Sequence, residues 1–167
     1  MKSQKSDGRR GVSRRAIVVG AAITIAAVVG VVKLVRANRL TPMTRDAFNA
    51  ARSKWDSNKL TDYEITVEVS GMQPGVYEVI VENGIAIAAT FDGRALTRQR
   101  TFGTWAVTGM FDTLARDLET NDREHYLMLG AEFDPEYGIP MKYQRIEIRT
   151  GAHDALQWTV TRFEPRT

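Results

Sequence analysis

The sequence predicts an α+β domain in which an antiparallel sheet packs on two helices, placed after a transmembrane helix. Ala16–Val35 is an apolar run of 20 residues, and a helix needs about 20 such residues to cross a hydrocarbon core of about 30 Å. Two later stretches carry apolar residues at helical spacing, and six further stretches are predicted as strands, of which Tyr63–Val69 alternates apolar and polar residues as a half-buried strand does. Their order is helix, three strands, helix, three strands, which is typical of α+β folds.

Four segments follow from these patterns. They are a basic cytoplasmic tail at residues 1–15, the transmembrane helix at 16–35, a connector at 36–41 and an extracytoplasmic α+β domain at 42–167. The last segment is long enough for one hydrophobic core but not for two domains.

The net charge of the chain changes sign after the apolar run. Residues 1–40 hold nine Lys and Arg residues against Asp7, which gives +8, whereas the remaining residues hold 14 basic and 19 acidic residues, which gives −5. An acidic domain repels phosphate backbones, so nucleic acid is not an expected partner. The chain has no cysteine, which excludes disulfides, thiolate metal sites and a cysteine nucleophile.

Basic residues flank the apolar run on both sides. Six precede it, and Lys33, Arg36 and Arg39 lie at its end. This asymmetry favours a single-pass protein of the cell membrane, with a cytoplasmic N-terminus and a C-terminal domain that is periplasmic or extracellular. The alternative is a signal peptide cleaved near Ala37, but the length of the run and the charges of Lys33 and Arg36 argue against cleavage.

Small residues recur within the apolar run. Ala22, Ala26 and Gly30 are spaced four residues apart, and this spacing lets two helices approach closely in lipid. The pattern predicts a weak homodimer through the span, although an Ala-rich helix also shows this spacing by chance.

Two amphipathic helices are predicted in the domain. The first begins at Thr41 and Pro42, a hydroxyl cap followed by a proline whose missing N–H is not needed at that position, and ends near Ser57. The second ends near Thr120, with Thr108 as its cap. Each carries an apolar stripe that we expect to pack on the sheet. The stripes are Phe48, Ala51 and Trp55 in the first helix, and Val107, Met110, Phe111, Leu114 and Leu118 in the second.

Six strands are predicted, three on each side of the second helix. They cover residues 63–69, 76–82, 85–91, 126–133, 141–149 and 156–163. Asn83 and Gly84 predict a tight hairpin turn because both tolerate positive φ, and Gly151–Asp154 predicts the turn of the last hairpin. The basic stretch Arg94–Gly103 predicts a solvated loop or a charge-protected edge strand. Its functional alternative is a site for an anionic ligand or a lipid headgroup.

The most distinctive local pattern is Asp-Pro-x-x-Gly-x-Pro at residues 134–140. Asp134 can accept hydrogen bonds from downstream backbone N–H groups, Gly138 supplies a positive φ, and Pro140 can start a strand, so the pattern predicts a structural turn. The functional alternative is a binding site at this turn, or a carboxylate group that includes Glu132 and holds Ca²⁺ or acts as an acid and base pair. The candidate binding residues are Asp134, Glu136, Tyr137, Gly138 and Pro140.

Residues 45–165 resemble a bacterial family of exported or lipid-anchored domains of unknown function, DUF6174. The resemblance is carried by this turn, by a helix that ends near Trp55, by Asp62 and Tyr63 at the start of the first strand, and by the Asn-Gly hairpin. It implies the fold and the export, and it implies no activity. Many relatives carry cysteines where this chain has Ser-Gly-Met at residues 70–72, so a disulfide or thiol role does not carry over.

Candidate catalytic groups are few. His125 and His153 lie beside turns without metal-ligand spacing, and the chain lacks the Gly-x-Ser-x-Gly, phosphate-binding and dinucleotide-binding motifs, so we predict no metal and no cofactor. The main hypothesis is a non-catalytic binding or interaction module of the cell envelope, with the lipid bilayer and an envelope protein as partners. The alternatives are a metal- or carboxylate-dependent hydrolase that uses Asp134, Glu136 and His125, and an inhibitor that presents its sheet to an envelope enzyme. Tyrosine and tryptophan side chains could form a sugar- or peptide-binding surface, but core packing accounts for most of them.

Overall fold

The computed structural model describes residues 40–71, 73–149 and 155–166. Over these residues the chain forms three helices and seven strands. The helices are α1 (Arg45–Asn58), α2 (Gln99–Trp105) and α3 (Val107–Glu124). The strands are β1 (Tyr63–Gly71), β2 (Gly75–Glu82), β3 (Ile85–Phe91), β4 (Arg94–Ala95), β5 (Leu127–Phe133), β6 (Pro140–Glu147) and β7 (Leu156–Pro165).

Several predictions concern parts of the chain outside the described residues. The apolar run Ala16–Val35, the basic tail before it, and the turn at Gly151–Asp154 all lie there, and the predictions about them stay predictions. Within the described ranges, no helix is both long and apolar enough to cross a membrane.

The strands form one antiparallel sheet in the order β4-β3-β2-β1-β7-β6-β5. The predicted turn between β2 and β3 is confirmed, since Asn83 and Gly84 have φ values of 50° and 77°. β1 and β7 pair at the centre of the sheet, with Tyr63 opposite Pro165. The six predicted strands are present, β4 is an additional short edge strand, and the predicted α+β class is confirmed.

The helices cover one face of this sheet. Tyr63, Ile65, Val67 and Val69 alternate along β1 and are each at most 3% exposed, and the predicted apolar stripes of both helices are buried with them. Burying one such large side chain contributes about 1.5–3 kcal/mol to stability. The intervening residues of β1, which include Glu64, lie on the opposite face, which no described helix covers. We name it the open face.

The helix α1 begins three residues later than predicted. Thr44 is its cap, because the Thr44 hydroxyl accepts a hydrogen bond of 3.2 Å from the Ala47 N–H. Thr41 and Pro42 instead continue the sheet beyond β5, where the Ala131 N–H donates to the Thr41 carbonyl at 3.0 Å. The prediction of a start at Thr41 was wrong because this long-range pairing takes both residues out of the helix.

The predicted second helix corresponds to α3, and an additional helix, α2, precedes it and meets it at Ala106. This residue has extended backbone angles, φ −70° and ψ 153°, and it precedes α3 without a side-chain cap. The prediction of Thr108 as the cap was therefore wrong. The Tyr63 hydroxyl takes that role, since it accepts a hydrogen bond of 3.0 Å from the Val107 N–H. The stretch predicted as a basic loop or edge strand contains β4 at its start and α2 at its end.

Candidate functional site

The Asp-Pro-x-x-Gly-x-Pro segment forms the turn between β5 and β6. Asp134 Oδ1 accepts hydrogen bonds from the backbone N–H groups of Glu136 (2.9 Å) and Tyr137 (2.7 Å), and the Gly138 N–H donates to the Asp134 carbonyl (2.9 Å). Gly138 has a φ of +80°, and Pro140 is the first residue of β6. The predicted structural turn is confirmed, and two backbone N–H groups of the turn bind one oxygen, Oδ1, of the Asp134 carboxylate.

The turn packs against the C-terminal half of α1. Lys54 Nζ donates a hydrogen bond of 2.5 Å to the Pro135 carbonyl. A Cβ atom added to Gly138 would lie only 2.3 Å from the Ala51 carbonyl oxygen. The turn is thus held in place by its contacts with α1 as well as by the hydrogen bonds of Asp134. These contacts explain the aspartate at position 134 and the glycine at position 138 without a ligand.

The three carboxylates of this region have separate partners. Glu132 pairs with Lys142 at 2.9 Å, and Asp134 accepts from the turn. Glu136 is exposed and hydrogen-bonds the Tyr137 hydroxyl, which raises the pKa of Tyr137 because the carboxylate favours the protonated phenol. In the part of the chain that the structure describes, no group of three or more acidic or histidine side chains could hold a metal ion.

Among the described residues, no contact brings His125 to this turn. His125 ends α3 in the left-handed conformation, with φ 53°, and its N–H donates to the Asn121 carbonyl. His153 lies outside the described residues. The structure describes no contact between His125 and the carboxylates of Asp134 and Glu136, so it adds no support to the hydrolase alternative.

Most aromatic side chains that could have formed a ligand-binding surface belong to the core. Trp55, Tyr63, Tyr77, Tyr143 and Trp158 are buried. Rings pack on one another there, as Tyr143 and Trp158 do with centroids 4.4 Å apart. Burial raises the pKa of Tyr63 to about 12, although the Val107 N–H opposes the shift.

Sequence reasoning missed a concavity of about 270 Å³ on the open face, where β1, β2, β3 and β7 lie side by side. Its lining includes the apolar residues Ile80, Ala88 and Ala95 and the charged residues Glu64, Glu78 and Arg162. The alternation of β1 and β2 does place Glu64 and Glu78 on one face. The pairing of β1 with β7, which brings Arg162 opposite Thr66, is not visible in the sequence.

Ion pairs and one unpaired carboxylate surround this concavity. Arg162 binds Glu164 at 2.5 Å, and this hydrogen bond raises the pKa of Arg162 and lowers that of Glu164. Arg166 pairs with Glu64 and Glu82.

Glu78 differs from these carboxylates. Glu78 Oε2 accepts a hydrogen bond of 2.7 Å from the Thr90 hydroxyl, and no described Lys or Arg forms an ion pair with it. Glu78 therefore lies beside apolar side chains outside ion-pair distance of any described Lys or Arg, and the charge of Arg162, which lines the same concavity, interacts with it over a longer distance.

The fold and this site define an α+β domain with one helix-covered and one open sheet face. Residues 47–165 match the family of unknown function DUF6174. The chain belongs to this family, which confirms the resemblance noted in the sequence. No curated protein and no solved structure gives a significant match.

Proposed function

We propose that this protein is a membrane-anchored, non-catalytic binding module of the cell envelope that holds a cationic segment of a partner protein on its open face. One observation carries the proposal: Glu78, a carboxylate without an ion-pair partner among the described residues, lines a concavity together with Ile80 and Ala88. A lysine or arginine side chain suits this surface. Its methylene groups can pack on apolar side chains while its charged end meets the carboxylate.

Charge supports the same kind of partner. The residues after position 40 carry a net charge of −5, and a negative field attracts cationic segments during encounter. The Thr90 hydroxyl holds the Glu78 carboxylate in one position, so less side-chain entropy is lost when a cation binds.

The binding proposal is tested with the full-length protein in phosphatidylcholine nanodiscs. The probe is a fluorescent peptide of alternating lysine and alanine, and a glutamate-alanine peptide of equal length is its control. We expect the lysine peptide to bind, and Glu78→Gln to weaken it about fivefold, the equivalent of about 1 kcal/mol for a charge-assisted contact. Glu68→Gln is the matched control, because Glu68 is exposed on β1 and does not line the concavity. Equal affinities of the wild type and Glu78→Gln would contradict the proposal.

Membrane anchoring is supported by the apolar run Ala16–Val35 and by the excess of basic residues before it. The chain has no cysteine, so single cysteines report topology without background. In spheroplasts, a membrane-impermeant maleimide should label Ser53→Cys, which is exposed on α1, and should label Ser3→Cys only after permeabilisation. The reverse pattern contradicts the topology, and release of the protein by alkaline carbonate contradicts the anchor.

The proposal includes weak self-association through Ala22, Ala26 and Gly30. Energy transfer between donor- and acceptor-labelled full-length chains in vesicles measures it. Gly30→Leu should reduce the transfer because a large side chain keeps the helices apart. Gly20→Leu, on another face of the same predicted helix, should leave the transfer unchanged; equal transfer in both variants argues against this contact.

A further inference from the structure

The chain enters the folded domain at one edge of the sheet. The Met43 N–H donates to the Leu129 carbonyl at 2.9 Å, and the Ala131 N–H donates to the Thr41 carbonyl at 3.0 Å. These two backbone hydrogen bonds continue the sheet beyond β5. The entry point of the chain is thereby fixed on β5.

Leu40, the first described residue, lies over the open face of β5. Leu129 and Ala131 pack towards the core, so Gly130 between them belongs to the open face. A Cβ atom on Gly130 would lie 2.9 Å from Leu40 Cβ. Leu40 therefore lies on the open-face side of the sheet.

Exposed apolar side chains lie directly beside this entry point. Met128 is two residues before Gly130 and shares its face, and Ile146 lies opposite Met128 on β6. Met128 and Ile148 are each 58% exposed, a value that Ile85 on β3 also reaches.

A tyrosine and an arginine extend this apolar surface. The Ile148 N–H donates to the Tyr126 carbonyl at 2.9 Å, which continues the β5–β6 pairing. The Arg149 guanidinium lies over the Tyr126 ring, 4.1 Å from its centroid, and also pairs with Glu124 at 3.3 Å. We name Tyr126, Met128, Ile146, Ile148 and Arg149 the β5–β6 patch.

We propose that the β5–β6 patch lies in the headgroup region of the bilayer that anchors the chain. The proposal rests on the membrane anchor of the proposed function and adds the orientation of the domain. The predicted span ends at Val35, five residues before Leu40. At about 3.3–3.6 Å per residue, an extended connector spans at most about 18 Å. A membrane anchor that ends at Val35 would therefore keep the entry point and the adjoining patch close to the membrane surface.

The chemistry of the patch suits this location. The free energy of the system falls when isoleucine and methionine side chains leave water for the boundary between headgroups and acyl chains. Tyrosine and arginine place an apolar body in that boundary and keep a polar end hydrated. Glu78 of the binding concavity lies on β2, four strands away from β5 in the sheet order, and sheet twist of about 20–25° per strand turns it away from the patch.

A second exposed apolar position provides the matched control. Ile87 is 48% exposed on β3, and β3 is separated from β5 by four intervening strands. With strands about 4.8 Å apart, Ile87 lies roughly 24 Å across the sheet from the entry point. The proposal therefore predicts lipid contact at Met128 and not at Ile87.

The test uses the full-length protein in phosphatidylcholine vesicles, with the environment-sensitive NBD fluorophore on Met128→Cys, Ile148→Cys or Ile87→Cys. We expect NBD at positions 128 and 148 to emit at shorter wavelength and to be quenched by phosphatidylcholine with a nitroxide high on its acyl chain. At position 87 we expect the emission of a water-exposed label and no quenching. Circular dichroism confirms that each labelled protein is folded.

The outcomes separate the orientation from the anchor. If the protein floats with the vesicles but the labels at 128 and 148 are not quenched, the anchor holds and the orientation is overturned. The NBD emission at position 128 could also move to shorter wavelength only at high protein density in the vesicles, without quenching by the nitroxide lipid. That result would indicate contact with a second copy of the chain, and it also overturns the proposal. If the protein does not float with the vesicles, the anchor itself fails.

Discussion

The hydroxyl of Tyr143 on β6 donates a hydrogen bond of 2.6 Å to Asp117 on α3, and both residues are buried. Asp117 also accepts a hydrogen bond of 3.2 Å from the Arg145 guanidinium, which is partly exposed. Asp117 is the only charged residue buried among the described residues. Its two donors satisfy a carboxylate that would otherwise be costly to bury.

We expect Asp117→Ala to lower the free energy of unfolding by about 3 kcal/mol, because it leaves the buried Tyr143 hydroxyl without an acceptor and Arg145 without a counter-charge. Urea unfolding of the full-length protein in detergent, followed by tryptophan fluorescence, measures the loss. Asp112→Ala on the same helix is the control. The Asp112 side chain is 68% exposed and lies 3.6 Å from Arg52, so we expect a change below about 0.5 kcal/mol. Equal losses in the two variants would refute the role of the buried network.

Buried tyrosines make the stability of the domain sensitive to alkaline pH. Burial raises the pKa of Tyr63 from 10.0 to about 12, and burial followed by the Asp117 charge raises that of Tyr143. Between pH 10 and 12 the unfolded chain releases the Tyr63 proton while the folded chain keeps it, so stability is full below pH 10 and falls as pH rises. The slope is about 1.4 kcal/mol per pH unit for each such tyrosine.

Tyr63→Phe separates this effect from general alkaline unfolding. Phenylalanine keeps the ring in the core and removes the ionisable hydroxyl. We expect the variant to be less stable at neutral pH, since the Val107 N–H loses its acceptor, and its stability to fall less steeply between pH 10 and 12. Parallel stability curves for the two proteins would show that Tyr63 does not titrate with the elevated pKa.

The sequence predicted those parts of the fold that depend on neighbouring residues. Alternating apolar and polar residues predicted β1, and the positive φ of Asn83 and Gly84 follows from residue type alone. Helix starts were less predictable where distant groups decide them. Thr41 resembles a cap but pairs with β5, and α3 takes its cap from the Tyr63 hydroxyl, 44 residues away.

The same distinction applies to the candidate sites. The turn at residues 134–140 was predictable because its hydrogen bonds lie within the turn. The concavity was not, because Glu64 and Arg162 meet through the pairing of β1 with β7, and a pattern of alternating residues does not say which strands are neighbours. The helix contacts that hold the turn have the same origin, since Lys54 and Pro135 are 81 residues apart.

The structural and binding interpretations of Asp134 make different predictions. Asp134→Ala removes the acceptor of two turn N–H groups, so we expect it to lower the free energy of unfolding by about 1–2 kcal/mol. Glu136→Ala should change the free energy of unfolding much less, because the Glu136 side chain is exposed and its carboxylate accepts a hydrogen bond only from the Tyr137 hydroxyl among the described residues. Urea unfolding measures both. If Asp134→Ala unfolds like the wild type but binds the lysine peptide more weakly, the turn is a recognition site instead.

Gly138 is required at its position for two separate reasons, conformation and space. Its φ is +80°, and a Cβ atom there would lie 2.3 Å from the Ala51 carbonyl oxygen of α1. Gly84 has nearly the same φ, +77°, but a Cβ atom there meets nothing within 4 Å. The comparison of Gly138→Ala with Gly84→Ala therefore isolates the steric contact with α1.

We expect Gly84→Ala to lower the free energy of unfolding by about 1–2 kcal/mol, the cost of the left-handed conformation for alanine. Gly138→Ala should lose at least about 2 kcal/mol more, because the turn must move away from α1 and disturb the Lys54 contact. Thermal and urea unfolding of the two full-length variants measure the difference. Equal losses would mean that the turn can move off α1 freely, and Gly138 would then be explained by its backbone conformation alone.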